Sequence, residues 1–117
     1  MKISTNQIFC GLDENNVFII GFFNSETNDY FMIQDCLNYD EQDIQLGMNS
    51  YYIELNDQSN GGYGGIKNFE LTRRNLKIDL DELGIKHLKH NSILISFDCT
   101  HEEYKSLGES LEKVLKN

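Results

Sequence analysis

The run 51–66 does most to limit what this chain can fold into. It opens in strict alternation. Tyr51, Ile53 and Leu55 fall on one face and Tyr52, Glu54 and Asn56 on the other, the period of a strand with one covered side. It then turns polar and places Gly61, Gly62, Gly64 and Gly65 around Tyr63. Asn60-Gly61 is a tight-turn signal, and glycine takes positive φ without steric penalty. Alternation resumes over 67–72, with Phe69 and Leu71 on one face. Two alternating runs around such a stretch predict antiparallel strands joined by a long hairpin connection. A phosphate cradle would need a helix N-terminus after the glycines, usually with a lysine. A strand follows instead, and Asp57 stands beside the loop. A recognition loop that displays Tyr63 stays open as a reading, because tyrosine is a common interface anchor.

The rest of the chain supplies strands of the same kind. Residues 8–12, Val17–Phe23 and 30–34 predict an antiparallel meander, and Val17–Phe23 is apolar on both faces, as a central covered strand would be. Segment 35–50 follows neither period and reads as loop with one helical turn. Strands 67–72 and 76–80 pair across Arg73-Arg74-Asn75. A short helix or turn follows over 81–90, then a strand over 92–98. Thr100 and Glu103 form a capping box ahead of a helix to residue 115, whose apolar stripe is Tyr104, Leu107, Leu111, Val114 and Leu115. The expected fold is α+β: an antiparallel sheet of about six strands with the C-terminal helix packed on one face, in a single domain over 1–117.

Charge is distributed unevenly. Between Ile3 and Ile66 there is no lysine or arginine but ten acids: Asp13, Glu14, Glu26, Asp29, Asp35, Asp40, Glu41, Asp43, Glu54 and Asp57. From Lys67 onward nine acids face nine bases, so the acidic excess lies in the first half. Such a field repels nucleic acid and phosphate ligands and attracts a basic partner; it also suits a plain solvated surface. The N-terminus lacks a signal-peptide pattern, no run is apolar enough to span a bilayer, and Cys10, Cys36 and Cys99 are scattered. These features predict a cytoplasmic protein.

No catalytic signature appears. Asp35, Asp40, Glu41 and Asp43 do not match a calcium loop. His87, His90, His101 and Cys99 lack zinc-ligand spacing and read as surface residues and a core thiol. No metal and no cofactor is expected, and the chain reads as a non-enzyme. An alternative is a small ligand-binding or enzymatic domain with its site near 57–66, using Glu54, Asp57 and Tyr63. A self-associating module, as monomer or weak homodimer, is a third reading.

The run Asp57-Gln58-Ser59-Asn60-Gly61-Gly62-Tyr63-Gly64-Gly65-Ile66 has a continuation in Glu70-Leu71-Thr72-Arg73, Leu76–Leu80, Ile95-Ser96-Phe97-Asp98 and the terminal helix. Together these resemble the tenth immunity-protein family of bacterial polymorphic toxin systems. The resemblance is best from Tyr51 to Leu115. It implies a small cytoplasmic α+β protein that binds and neutralises a cognate toxin without turnover. Its motif residues here are Asp57, Gln58, Asn60, Gly61, Tyr63, Gly64, Gly65 and Ile66. Charge and resemblance agree: a basic nuclease toxin would be met by an acidic face. The expected partner contacts are Asp35, Asp40, Glu41, Asp43, Glu54 and Asp57 by charge, with Tyr63 as aromatic anchor.

Overall fold

The computed structural model describes residues 1–36 and 50–115. Among the described residues nine strands and two helices follow one another: β1 (Lys2–Ser4), β2 (Gln7–Leu12), β3 (Val17–Phe23), β4 (Tyr30–Cys36), β5 (Tyr52–Leu55), β6 (Asp57–Tyr63), β7 (Ile66–Leu71), β8 (Asn75–Leu80), α1 (Glu82–Leu88), β9 (Ser92–Ser96) and α2 (His101–Leu115). The fold is α+β, as expected. The strands divide into two sheets, however, a five-stranded one in the order β2-β3-β4-β5-β6 and a four-stranded one in the order β1-β9-β8-β7. Alternation states which residues turn inward and is silent on which sheet a strand joins, so a single sheet was the simpler expectation.

The five-stranded sheet is an antiparallel meander in chain order. The chain passes between sheets at two short crossings. At the first, Thr5 N–H donates to Ser96 O in one sheet and Asn6 N–H to Phe23 O in the other, at 2.9 and 3.1 Å. At the second, Gly64 and Gly65 take φ of 74° and 107°, values that L side chains rarely adopt. There Gly64 N–H donates to Tyr51 O, while Gly65 O accepts from Asp81 N–H.

The glycine-rich run is therefore not a loop. Most of it is strand β6, and the turn before it falls at Asn56, in the left-handed region with φ 63°, rather than at Asn60-Gly61. Gly61, Gly62 and Tyr63 pair with Glu54, Ile53 and Tyr52, and the register then shifts so that Leu55 faces Asp57. The extra residues of β6 form a bulge, a common way of protecting a sheet edge.

Both sheets and both helices feed one core. Ile20, Phe22, Phe31, Ile33, Ile53 and Leu55 come from the five-stranded sheet; Leu76, Ile78, Leu80, Ile93 and Ile95 come from the four-stranded one. Leu107, Leu111 and Val114 of α2 complete it, the stripe expected from the helical period. Its N-terminal box is formed as predicted: Thr100 N–H donates to Glu103 Oε1 at 2.9 Å and Glu103 N–H to Thr100 Oγ1 at 3.1 Å.

Candidate functional site

The charge asymmetry of the sequence becomes an asymmetry between sheets. Gln7–Tyr63 holds every strand of the five-stranded sheet and not one lysine or arginine, whereas the four-stranded sheet carries Lys2, Lys67 and Lys77. One face of the five-stranded sheet lies on the core. The other is set by alternation and register. Phe9 opposes Gly21, Gln7 opposes Phe23, Gly21 opposes Met32, Met32 opposes Glu54, and Tyr52 opposes Tyr63. This outer face is aromatic and apolar along most of its width.

Glu54 sets a carboxylate into that face. It is only 6% exposed. A buried carboxylate is costly unless its oxygens are hydrogen-bonded. Here Tyr30 Oη donates to Oε2 at 2.5 Å and Tyr52 Oη donates to Oε1 at 2.7 Å, the short range typical of hydroxyl-to-carboxylate bonds. Burial first, and the bond to Glu54 second, push the Tyr30 hydroxyl well up and the Tyr52 hydroxyl up to about 12. The Tyr63 ring packs edge-on against Tyr52 at 5.4 Å. The result is a braced tyrosine cluster spanning β4, β5 and β6.

The glycines of β6 make this cluster fit. A Cβ on Gly61 would overlap the Tyr52 hydroxyl, so the residue must be small for Tyr52 to reach Glu54. On the opposite face a Cβ on Gly62 would overlap the His87 ring of α1, whose Nε2 lies 3.1 Å from Tyr63 O. His87 is thus a half-buried packing residue rather than the surface residue its sequence position suggested. A Cβ on Gly65 would come within 2.5 Å of Gly84 Cα, so strand and helix meet backbone to backbone. Asp81 caps that helix, accepting from Gly84 N–H at 3.0 Å.

Next to the cluster, an open groove of about 750 Å³ runs over β2, β3 and β4. Its lining includes Phe9, Ile19, Phe23, Tyr30 and Met32, with the acids Asp98 and Glu103 and, among the described residues, no basic one. Phe9 is 52% exposed on edge strand β2.

The expected site residues separate into groups. Glu54 and Tyr63 come together, joined by Tyr30 and Tyr52, which the sequence did not single out. Tyr52 was within reach of a pattern argument, since it lies two residues before Glu54 on one strand face. Tyr30 was not, because 24 residues separate it from Glu54. The sequence reading makes Glu54 a charge that contacts the partner; in the structure it is buried instead. Its two oxygens hold tyrosines. Asp35 alternates with Phe31 and Ile33 and so belongs to the opposite, core-side face. Asp57 is exposed at the turn, and its bonds to Ser59 lower its carboxyl below the usual range. Asp40, Glu41 and Asp43 lie outside the described residues.

Of the two acids that an enzymatic reading near 57–66 would use, Glu54 accepts from Tyr30 and Tyr52, and Asp57 accepts from Ser59 N–H. Burial pushes the Cys10 thiol up, away from the reactive thiolate. Among the described residues, no three histidine, cysteine or acidic side chains gather as metal ligands would.

These features define a small two-sheet α+β protein with a cation-free sheet whose outer face is aromatic. The chain belongs to the Immunity protein 10 family, whose model matches residues 4–105. That span takes in the acidic first half as well as the glycine motif. Membership implies an immunity protein, one that neutralises a toxin. Among curated proteins nothing matches the chain, and among solved structures nothing does either.

Proposed function

We propose that this protein is the stoichiometric, non-catalytic immunity partner of a cognate toxin in a bacterial polymorphic toxin system, acting in the cytoplasm. The observation that carries the reading is the family match over most of the chain. The cation-free run Gln7–Tyr63 supports a basic toxin, for which a nuclease is the natural candidate because phosphate backbones are held by lysine and arginine. Opposed charge speeds encounter, which matters when free toxin damages its producer.

In this reading Asp35, Asp40, Glu41, Asp43 and Asp57 supply the attracting field. Tyr63 is the aromatic anchor. Glu54 acts indirectly, by fixing Tyr52, against which Tyr63 packs.

The test is co-expression with the toxin domain encoded in the neighbouring frame. Growth should be restored, and a one-to-one complex should elute on gel filtration. Failure of both would end the reading. Within the complex, neutralising Asp40, Glu41 and Asp43 together should slow association and flatten its salt dependence. Tyr63→Ala should instead speed dissociation, by about 2 kcal/mol if Tyr63 is a hot spot.

A further inference from the structure

We propose that the groove on the outer face of the five-stranded sheet seats the toxin, and that the element it receives is a protein segment presenting an apolar side chain flanked by lysine or arginine. This rests on the immunity reading and adds the face used and the chemistry that fits it.

The groove, at about 750 Å³, has room for several side chains of a bound segment, and its wall is apolar at Phe9, Ile19, Phe23 and Met32. A phenylalanine 52% exposed on an edge strand, beside further apolar side chains, is the kind of patch that marks an interaction site. Tyr30 lines the groove while donating to buried Glu54. The groove is therefore continuous with the braced tyrosine cluster, and at Tyr30 its wall is held before any partner arrives. Preformed walls lower the ordering cost of binding.

Charge selects the occupant. Asp98 and Glu103 line the groove and, among the described residues, no basic side chain does. A second copy would bring the same cation-free strands and the same formal charge of −9, setting like charge against like. A nucleic acid would be repelled for the same reason. A segment with an apolar tip and basic flanks satisfies wall and rim together.

The test compares variants by surface plasmon resonance against the toxin domain encoded beside this protein, with growth rescue and thermal melts in parallel. Phe9→Ser should weaken binding about tenfold, mainly through faster dissociation. Asp98→Lys should slow association and reduce its salt dependence. Glu70→Lys, the same charge reversal on exposed β7 of the other sheet, should change neither. Both groove residues retaining wild-type kinetics, in a chain that still binds, would overturn the groove while leaving the immunity reading intact. An effect of Glu70→Lys equal to that of Asp98→Lys would also overturn it, since the field would then act without regard to face. A wild-type dimer that Phe9→Ser converts to monomer would assign the groove to a second copy and overturn it. No complex and no rescue with the wild type would remove the immunity reading and the proposal together.

Discussion

Gly84→Ala tests whether the close approach of α1 to the second sheet crossing holds the fold together. A Cβ on Gly84 would overlap Gly65 O, and would lie 2.9 Å from the Gly65 carbonyl carbon and 3.0 Å from Leu80 Cβ. The obstruction is backbone, and that carbonyl is already engaged by Asp81 N–H at 3.0 Å at the start of the helix. Moving it away breaks that bond. Leaving it in place forces α1 outward, which uncovers Leu88, only 1% exposed. Inserting a methyl group into such a contact costs about 1–3 kcal/mol, and a backbone obstacle belongs at the upper end. Alanine recovers up to about 1 kcal/mol of helix propensity. The net expectation is a loss of about 2 kcal/mol, or about 8 °C in melting temperature for a chain of this length.

Gly62→Ala makes the contrast. Its Cβ would meet the His87 ring, a side chain that can be removed. In a double-mutant cycle, His87→Ala should relieve most of the Gly62→Ala cost and none of the Gly84→Ala cost. Melts followed by circular dichroism, with urea titrations for free energies, give the numbers. A Gly84→Ala protein that melts at or above the wild-type temperature would show that propensity outweighs packing here, and the account of the glycine contact would be wrong.

Three further outcomes are expected. The folded-state hydroxyls of Tyr30 and Tyr52 are raised, so the folded protein holds protons that the unfolded chain releases above the ordinary value of 10.0. Their stabilising contribution is therefore complete below pH 10.0 and is lost as pH rises toward about 12 for Tyr52. Urea midpoints measured from about pH 9 to pH 11 should fall, and fall less steeply in Glu54→Gln; equal slopes would mean that Glu54 does not hold the tyrosines. Asn56→Ala should cost about 2 kcal/mol, because alanine is disfavoured at φ 63° and loses the 2.7 Å bond that Asn56 Oδ1 accepts from Tyr30 N–H. Asn56→Gly, which relieves only the backbone, should cost about half as much by the same melt. Asp81→Ala removes the N-cap of α1 and should cost about 1 kcal/mol, a loss that Asp81→Ser should largely restore.

Strands with strong period-two patterning were legible before the fold was known. Val17–Phe23 has the bounds expected of it, and β2, β4, β7 and β8 lie within two residues of theirs. Two strands were not legible. β1 has only three residues, and its partner β9 pairs Ser4 with Ser96 at the far end of the chain. β6 is glycine-rich and polar, a composition that signals turn when read locally. It is a strand because it pairs with β5, and glycine at 61 and at 62 leaves room for Tyr52 on one face and His87 on the other. The same limit explains Glu54. On the polar side of an alternating strand a carboxylate reads as solvated. What buries it arrives from β4 and from its own tyrosine neighbour, and sequence spacing does not express that cover.

The two sheets differ in when they can be completed during synthesis. The five-stranded sheet is made of consecutive hairpins and is fully translated once Tyr63 has been added. The four-stranded sheet has Lys2–Ser4 as its first strand and must wait for Ser92–Ser96, which lies between β1 and β8. At about 5–20 residues per second, the ribosome takes some seconds to cover that difference. Throughout that interval β1 has no partner, while the strands bearing the acidic, aromatic face can already pair in order. Ribosome-arrested chains in which a linker long enough to clear the exit tunnel follows Tyr63, and others in which it follows the terminal helix, could be compared by protease resistance. Resistance confined to the full-length chains would mean that the last-made strand gates the whole fold. Earlier protection of the meander would mean that the acidic, aromatic surface takes shape before the rest of its own scaffold.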